Sequence, residues 1–326
     1  MGRGGEPRAD GGGMIARRLV LATPSLALAQ TARPIRIVVP FPPGGPTDIA
    51  ARLIADGMAP LLGQAVVTDN RPGAAGNLAA EFVARAAPDG TTLLFSGSGS
   101  HGINPALFAG RLSFDAVRDF APVVLVSSAP NLLSAGRGGP PDLAALITAA
   151  HARPGALNVA VGSLGTTQHM AVELLKLRAG IDVTIIAYRG AALALQDLMA
   201  GTVDALSDGL MASLPHAREG RIRALGVTGP ARSPAAPEIA AIAETLPGFS
   251  AVAWFGLHAP AGTPRNTVLR LNTAANQAMR DPTLRSRYAD AGSDLLGGTP
   301  EDAAAHIGRE IATWAEVVRA TGARVE

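Results

Sequence analysis

The stretch Ile35-Arg36-Ile37-Val38-Val39-Pro40-Phe41-Pro42-Pro43-Gly44-Gly45-Pro46-Thr47-Asp48 passes from one hydrophobic period to another. Residues 35–39 form a short apolar run of the kind a buried strand shows. From Asp48 onward, Ile49, Leu53, Ile54, Met58, Leu61 and Leu62 recur at helical spacing. Thr47 is the expected N-cap. Two glycines just before a helix let the backbone approach a ligand, and the unpaired amides of the first turn then face it with the positive end of the helix dipole. The segment therefore reads as an anion cradle suited to a carboxylate, with an ordinary strand-to-helix turn as the alternative. It lacks the lysine of a phosphate-binding P-loop.

The same alternation continues along the chain, which indicates an α/β fold with largely parallel sheets. A strand at 65–68, a helix at 77–86 and a strand at 92–95 complete a βαβαβ lobe. Two apolar runs, 122–127 and 131–134, are separated by Ser128-Ala129-Pro130, which suits a crossing to a second lobe. That lobe is expected to hold helices at 142–151, 166–178, 191–200 and 210–218, interleaved with strands at 157–161, 183–188, 205–207 and 223–228. A Pro- and Ala-rich stretch, 229–247, leads back to a strand at 252–258. Long helices at 264–280 and 300–321 are expected to pack on the first lobe. Residues 30–130 and 229–326 thus form lobe 1 and residues 131–228 lobe 2, joined by a hinge of two crossovers. No internal repeat of solenoid length is visible. Ligands of open α/β sheets sit at the C-terminal ends of strands, so the loops after strands in both lobes should face the cleft between them.

At 326 residues the chain is long enough for two such lobes. It is 48% apolar, yet no uninterrupted apolar run reaches the length of a membrane span, so a soluble globular protein is expected. Cysteine is absent, which excludes disulfides and thiolate metal sites and leaves the redox compartment open. Residues 1–29 read as a leader and signal peptide. Arg17-Arg18 precedes the apolar run 19–29, and Ala27-Leu28-Ala29 gives a small-x-small ending with cleavage expected after Ala29. Met14 is the expected true start, and the arginine pair leaves twin-arginine export as an alternative. Residues 1–30 hold four arginines and two acids, so of 28 basic and 26 acidic side chains the mature chain keeps 24 of each. A balanced chain gives no support to nucleic-acid binding.

Further motifs carry a family resemblance. Residues 34–45, Asn70-Arg71-Pro72-Gly73-Ala74-Ala75-Gly76-Asn77, and Ala86-Ala87-Pro88-Asp89-Gly90-Thr91-Thr92-Leu93-Leu94 resemble the solute-binding receptors of tripartite tricarboxylate transporters, the Bug receptors. Thr166-Thr167-Gln168-His169, Tyr188-Arg189-Gly190, Trp254-Phe255-Gly256-Leu257 and Ala259-Pro260-Ala261-Gly262-Thr263-Pro264 continue it in the family's order over about residues 33–326. The resemblance implies a periplasmic-binding-protein-like (type II), Venus-flytrap fold. It also implies that the serine-rich loop Ser98, Ser100 and His101 lines the cleft and donates hydrogen bonds to a ligand carboxylate. The family commonly has a hydroxyl after Tyr-Arg-Gly where this chain reads Ala191-Ala192, which leaves the identity of the ligand open.

Each candidate has a structural alternative. Phe41, Pro43, Gly44, Gly45, Thr47 and Asp48 form the first cradle, and Asp48 either caps its helix, orients the loop or reads a ligand amino group. Ser98, Ser100 and His101 either bind or only shape their loop. Thr166 and Thr167 stand at a helix start where a second anionic group can bind, and His169 in the first turn is expected to be neutral, with a supporting or core role equally open. Tyr188, Gly190 and Asp208 end later strands, where packing and loop shaping compete with ligand contact. Trp254 and Phe255 read mainly as packing beside the hinge.

Gly97-Ser98-Gly99-Ser100-His101-Gly102 fits a dinucleotide fingerprint, but Asn104-Pro105 interrupts the helix that fingerprint requires. No G-x-S-x-G elbow is present, and none of the six histidines forms a zinc-binding pair. The expectation is an extracytoplasmic, periplasmic, monomeric receptor, not an enzyme, with no cofactor and no metal. It would capture a di- or tricarboxylate or related organic acid and deliver it to the membrane subunits of a tripartite tricarboxylate-type transporter. A hydrolase or isomerase acting on a carboxylic acid, or a ligand-sensing receptor, is the alternative.

Overall fold

The strand β1 (Ile35–Val39) is buried along nearly its whole length because it has neighbours on both sides. The computed structural model describes residues 1–2, 33–44, 46–188, 190–290 and 292–325. The expected cleavage after Ala29 and start at Met14, and the candidate Gly45, lie outside the described residues, as does Arg189. After β1 come α1 (Pro46–Leu62), β2 (Val66–Asn70), α2 (Asn77–Ala84), β3 (Thr92–Gly97) and a short α3 (Asn104–Leu107). The long β4 (Phe120–Ala135) follows, then α4 (Leu143–Ala152), β5 (Asn158–Val161), α5 (Thr167–Ala179), β6 (Thr184–Ala187), α6 (Ala191–Ala200), β7 (Ala205–Gly209), α7 (Leu210–Arg218) and β8 (Arg223–Val227). The chain ends with α8 (Ile242–Thr245), β9 (Val252–Pro260), α9 (Arg265–Ala278), α10 (Pro282–Asp290), β10 (Asp294–Gly297) and α11 (Pro300–Thr321). α1 starts at Pro46, whose fixed φ suits a first helical position, so Thr47 lies inside the helix rather than at its N-cap.

The strands make two sheets that share β4. In the first, the order is β2-β1-β3-β9-β4, with β10 also on β4; in the second it is β6-β5-β7-β4, with β8 also on β4. Residues Phe120 to Pro130 of β4 pair with β9, and from Asn131 onward β4 pairs with β7 and β8. The sheets are mixed, where the sequence predicts largely parallel ones. The βαβ pairs β1–β2, β1–β3, β5–β6 and β5–β7 are parallel, but every pairing of β4 or β9 is antiparallel. The strands that carry the chain between sheets are not part of the βαβ winding, and they supply the antiparallel contacts.

Register fixes which ends face each other. β3 runs opposite to β9 and β9 opposite to β4, so β1 and β3 point along β4 towards the second sheet. β7 runs opposite to β4, with Gly209 beside Asn131, so β5, β6 and β7 point back towards the first. The C-terminal ends of both strand sets therefore meet at the point where β4 changes sheets.

Two large cores flank that junction. One joins Ile37, Leu93 and Val124 of the first sheet to Ile54 and Met58 of α1, Leu271 of α9 and Tyr288 of α10. The other joins Val159 and Val161 of β5 to Leu146 of α4 and Met170 and Leu174 of α5. Fully burying one such side chain contributes about 1.5–3 kcal/mol. The expectation that the last helix packs on the first sheet describes only part of α11. Its Ala303 and Ile307 pack with Leu125 and Trp254, whereas Trp314 and Val317 belong to the second core, together with Ile103 and Leu107 from the segment after β3. α11 is amphipathic over 22 residues, long enough to cover both.

Candidate functional site

The loop after β1 is held by Asp48. Its carboxylate accepts hydrogen bonds from the Gly44 amide (2.9 Å), Arg52 Nε (2.9 Å) and Asn70 Nδ2 (2.9 Å), and Asn70 Nδ2 also reaches the Phe41 carbonyl at 3.0 Å. The Arg52 hydrogen bond, with those of Gly44 and Asn70, outweighs burial and holds the Asp48 carboxyl down at about 2. Of the roles open to Asp48, orienting the loop is the one these bonds perform. The Gly44 amide is thereby used internally. Gly44 has φ +82°, a conformation a side chain would strain, and Pro43 and Gly44 are exposed. Phe41 is half-buried and Thr47 buried.

The serine-rich segment after β3 folds as one wide helical turn, Ser98–Ile103, with i to i+5 geometry running into α3. Gly97 is required here: a Cβ on it would lie 1.8 Å from the Trp254 carbonyl of β9. The Ser98 hydroxyl accepts from the Trp254 amide (2.7 Å) and faces the Trp254 carbonyl at 3.4 Å. Ser100 Oγ bonds Ser96 Oγ and lies 3.0 Å from His101 Nδ1. His101 is wholly buried, stacked on His258 with ring centroids 4.1 Å apart and edge-on to Phe120 at 4.6 Å. Burial, reinforced by His258, pushes His101 well below the usual histidine range, and burial brings His258 down to about 4. His101 is thus an interior, neutral support of the turn, and Ser98 and Ser100 spend their hydroxyls on it and on β9.

This segment converges with turns that follow other strands. The turn Ala74–Gly76 after β2 holds two alanines at positive φ, Ala74 at 47° and Ala75 at 53°, a strained conformation for non-glycine residues. A Cβ on Gly99 would stand 3.7 Å from both the Ala75 and the Gly165 carbonyls, and one on Gly165 (φ +75°) would stand 3.3 Å from Ala75 Cβ. A Cβ on Gly76 would stand 3.2 Å from Pro40 Cβ, which brings in the loop after β1. Asn104, fully buried, ties the group together by donating to the Ala75 carbonyl (3.2 Å) and Asn77 Oδ1 (2.7 Å). Ala74, Ala75 and Asn104 are not among the residues the sequence singles out. The signals available for them were the Pro72-Gly73 turn pair and the glycines bracketing two alanines.

Gly165 comes from the second sheet, in the loop between β5 and α5. Thr166 is the N-cap of α5: its hydroxyl accepts from the His169 amide (3.4 Å) and donates to the Ser163 carbonyl (2.9 Å). Thr167 opens the helix and is buried, and its hydroxyl has no hydrogen-bond partner among the described residues. His169 Nδ1 accepts from the Gly165 amide at 3.4 Å, which puts the ring proton on Nε2, 3.7 Å from Glu173 Oε1. The ring thereby shapes the Gly165 turn. Gly190 (φ +127°) precedes α6 and donates its amide to the Gly162 carbonyl at 2.9 Å.

Tyr188 and Asp208 are engaged within the second sheet. The Tyr188 hydroxyl donates to Asp197 Oδ2 of α6 at 2.6 Å, which pushes its pKa up to about 12. Asp208 lies inside β7, accepts from Ser213 Oγ at 3.1 Å, and is raised by burial. Trp254 is buried and Phe255 stacks on Phe95 with ring centroids 5.7 Å apart, so both serve packing. The three converging turns, 73–76, 98–103 and 162–167, contain no lysine, arginine or acid. A ligand anion there would be met by backbone amides, hydroxyls and the N-terminus of α5, whose first-turn amides lack intrahelical acceptors. Among the described residues there is no cluster of side chains able to hold a metal ion, and no helix is long and apolar enough to cross a membrane.

The profile described as "Tripartite tricarboxylate transporter family receptor" matches residues 50–323. Protein BugT of Bordetella pertussis (strain Tohama I) is 36% identical over 308 residues, which span 94% of this chain and 94% of BugT. A protein of R. palustris solved with adipate shares 37% identity at a TM-score of 0.81, covering 90% of this chain and 98% of that one. MatC of Rhodopseudomonas palustris, solved with bound malate, shares 38% identity at a TM-score of 0.77, covering 88% and 99%.

Proposed function

We propose, since the chain belongs to the tripartite tricarboxylate transporter receptor family, that it is a periplasmic receptor which closes on a small di- or tricarboxylate and hands it to the membrane subunits of such a transporter. The observation that carries this reading is the meeting of uncharged, amide-rich turns from both sheets at Ala75, Gly99 and Gly165. An amide cradle of this kind suits a carboxylate. Residues 30–130 and 229–326 then act as one lobe and 131–228 as the other, with β4 and the return through β9 as the crossovers between them. In this reading Phe41, Pro43, Gly44 and Gly45 border the ligand from the first lobe, and Thr166, Thr167 and Gly190 from the second. Thr47, Asp48, Ser98, Ser100, His101 and His169 act mainly by holding those loops in shape. Tyr188, just after β6 and bonded to Asp197 of α6, and Asp208, in β7 and bonded to Ser213 of α7, stand further back. Related proteins solved with adipate and malate support the ligand class, and they leave the particular acid open.

The test is a thermal-shift screen of the protein beginning at Gln30 against a panel of carboxylic acids and their amides, with malate and adipate included. A ligand at a hundredfold excess over its Kd stabilises by about 2.7 kcal/mol through mass action. One acid raising the midpoint, and recovered unchanged after long incubation, supports the receptor. Turnover of the acid would make the cleft an active site, and silence across the panel would remove the carboxylate reading.

A further inference from the structure

The chain has two tryptophans, and both indoles donate to one oxygen. Trp254 Nε1 lies 2.9 Å and Trp314 Nε1 3.0 Å from Glu310 Oε2. Trp254 belongs to β9, the strand between β3 and β4, while Trp314 and Glu310 belong to α11. The wide turn Ser98–Ile103 lies between these groups. At one end Ser98 bonds the Trp254 backbone, and at the other Gly102 packs so closely that a Cβ there would stand 3.4 Å from both Glu310 Cβ and Trp314 Cδ1. In its middle His101 stacks on His258, which is also on β9.

We infer that Glu310 is a positioning residue for ligand binding: by fixing both indoles it clamps the Ser98–Ile103 turn against β9 and α11 and so sets where Gly99 meets Ala75 and Gly165. This rests on the assignment of that turn to the ligand site. The physical argument is one of acceptors. A carboxylate oxygen accepts two charge-assisted hydrogen bonds, and with an apolar residue in its place both buried indole N–H groups would lose their partner. Each tryptophan would then reorient to find water or another acceptor. Trp254 could do so only by turning its buried ring against Leu125 and Ile307, beside the backbone that Ser98 grips, and Trp314 only by leaving the surface that Gly102 lies on. A wide turn of this geometry has few internal hydrogen bonds to hold it, so its shape depends on such outside contacts. Because α11 packs by its later half in the core that contains α5, the same clamp sits beside the helix that carries Thr166 and Thr167.

The test uses hydrogen exchange in the ligand-free mature protein, with Glu310→Leu, Glu310→Gln and Trp254→Phe. Glu310→Leu is expected to raise exchange of the amides in 98–103 about tenfold or more, the factor matching loss of one charge-assisted bond, while the amides of β5 and β6 keep their protection. Glu310→Gln retains an oxygen that can accept both indole protons and is expected to restore exchange to within about threefold of wild type. Trp254→Phe removes one donor and keeps the ring, and is expected to give a smaller rise confined to the same turn. Should Glu310→Leu fail to fold, the comparison of Trp254→Phe with Glu310→Gln decides. A rise spread evenly along the chain, no rise within 98–103, or failure of glutamine to restore protection would overturn the inference. An acid found by the thermal screen should bind more weakly to the leucine variant than to the glutamine variant. Failure to find such an acid counts against the receptor reading and leaves the exchange result to stand by itself.

Discussion

Replacing Asp48 by asparagine isolates the charge that holds the first loop. The side chain keeps its size and one acceptor oxygen, but loses the negative charge shared by Gly44, Arg52 and Asn70. Lowering the carboxyl from the ordinary aspartate value of 3.8 to about 2 corresponds to roughly 2.4 kcal/mol between the two protonation states. Asp48 itself is buried, but the Arg52 side chain is 50% exposed, so solvent screening reduces the expected loss to about 1–2 kcal/mol at pH 7. The sign with pH follows from the depressed value. The stabilisation is fully present above the unfolded-state pKa near 4 and is lost as pH falls through about 2 in the folded state. The gap between wild type and Asp48→Asn should therefore be constant above about pH 5 and fall by roughly half near pH 3. In urea, with a slope of about 3 kcal/mol per molar, the pH 7 gap would appear as a midpoint lowered by about 0.3–0.7 M. No gap at pH 7, or one that stays the same down to pH 3, would refute the assignment of this carboxylate as a charged anchor of the loop.

Three further outcomes are expected. His101 and His258 are buried and neutral, so between about pH 6.5 and 4 the unfolded chain takes up protons that the folded one does not. Stability should then decline as pH falls, by up to about 1.4 kcal/mol per pH unit for each histidine; the slope from denaturation curves should lessen in His101→Phe. Gly97→Ala places a Cβ into the Trp254 carbonyl and should cost more than about 3 kcal/mol or prevent folding, read as lost soluble yield or a lowered melting midpoint, because backbone meets backbone there. Thr166→Val removes the α5 cap and its bond to Ser163, so it should lower stability by about 0.5–2 kcal/mol as well as weaken ligand binding. An unchanged melting midpoint would place the capping elsewhere.

The strand and helix order was legible because each βα unit is punctuated by glycine, proline and small polar residues, and the hydrophobic period changes at each boundary. The course of β4 was not. Pro130 reads as a break, yet it falls where β4 gives up β9 for β7, and a residue that cannot donate is tolerated where the ladder changes partners. α10 and β10 carry little local signal, since β10 is four residues at the sheet edge. At the site, glycine and threonine positions were readable from helix-start chemistry. The fate of Asp48 was not, because it depends on Asn70, 22 residues away, and that of His101 depends on His258, in a strand far along the chain. Local pattern shows that α11 has an apolar face but not that two different cores share it.

The sharing of β4 and α11 has a consequence for how the molecule comes apart. Neither half owns a complete interior: residues 131–228 excised alone would lack Ile103, Leu107, Trp314 and Val317 from their core, and the remainder would lose the continuation of its longest strand. Stabilities of parts that borrow each other's walls cannot be separated, so heating should give one cooperative transition in which calorimetric and van't Hoff enthalpies agree. Binding at the junction would then raise the melting of the chain as a whole, while a domain truncation would yield insoluble fragments rather than a smaller receptor.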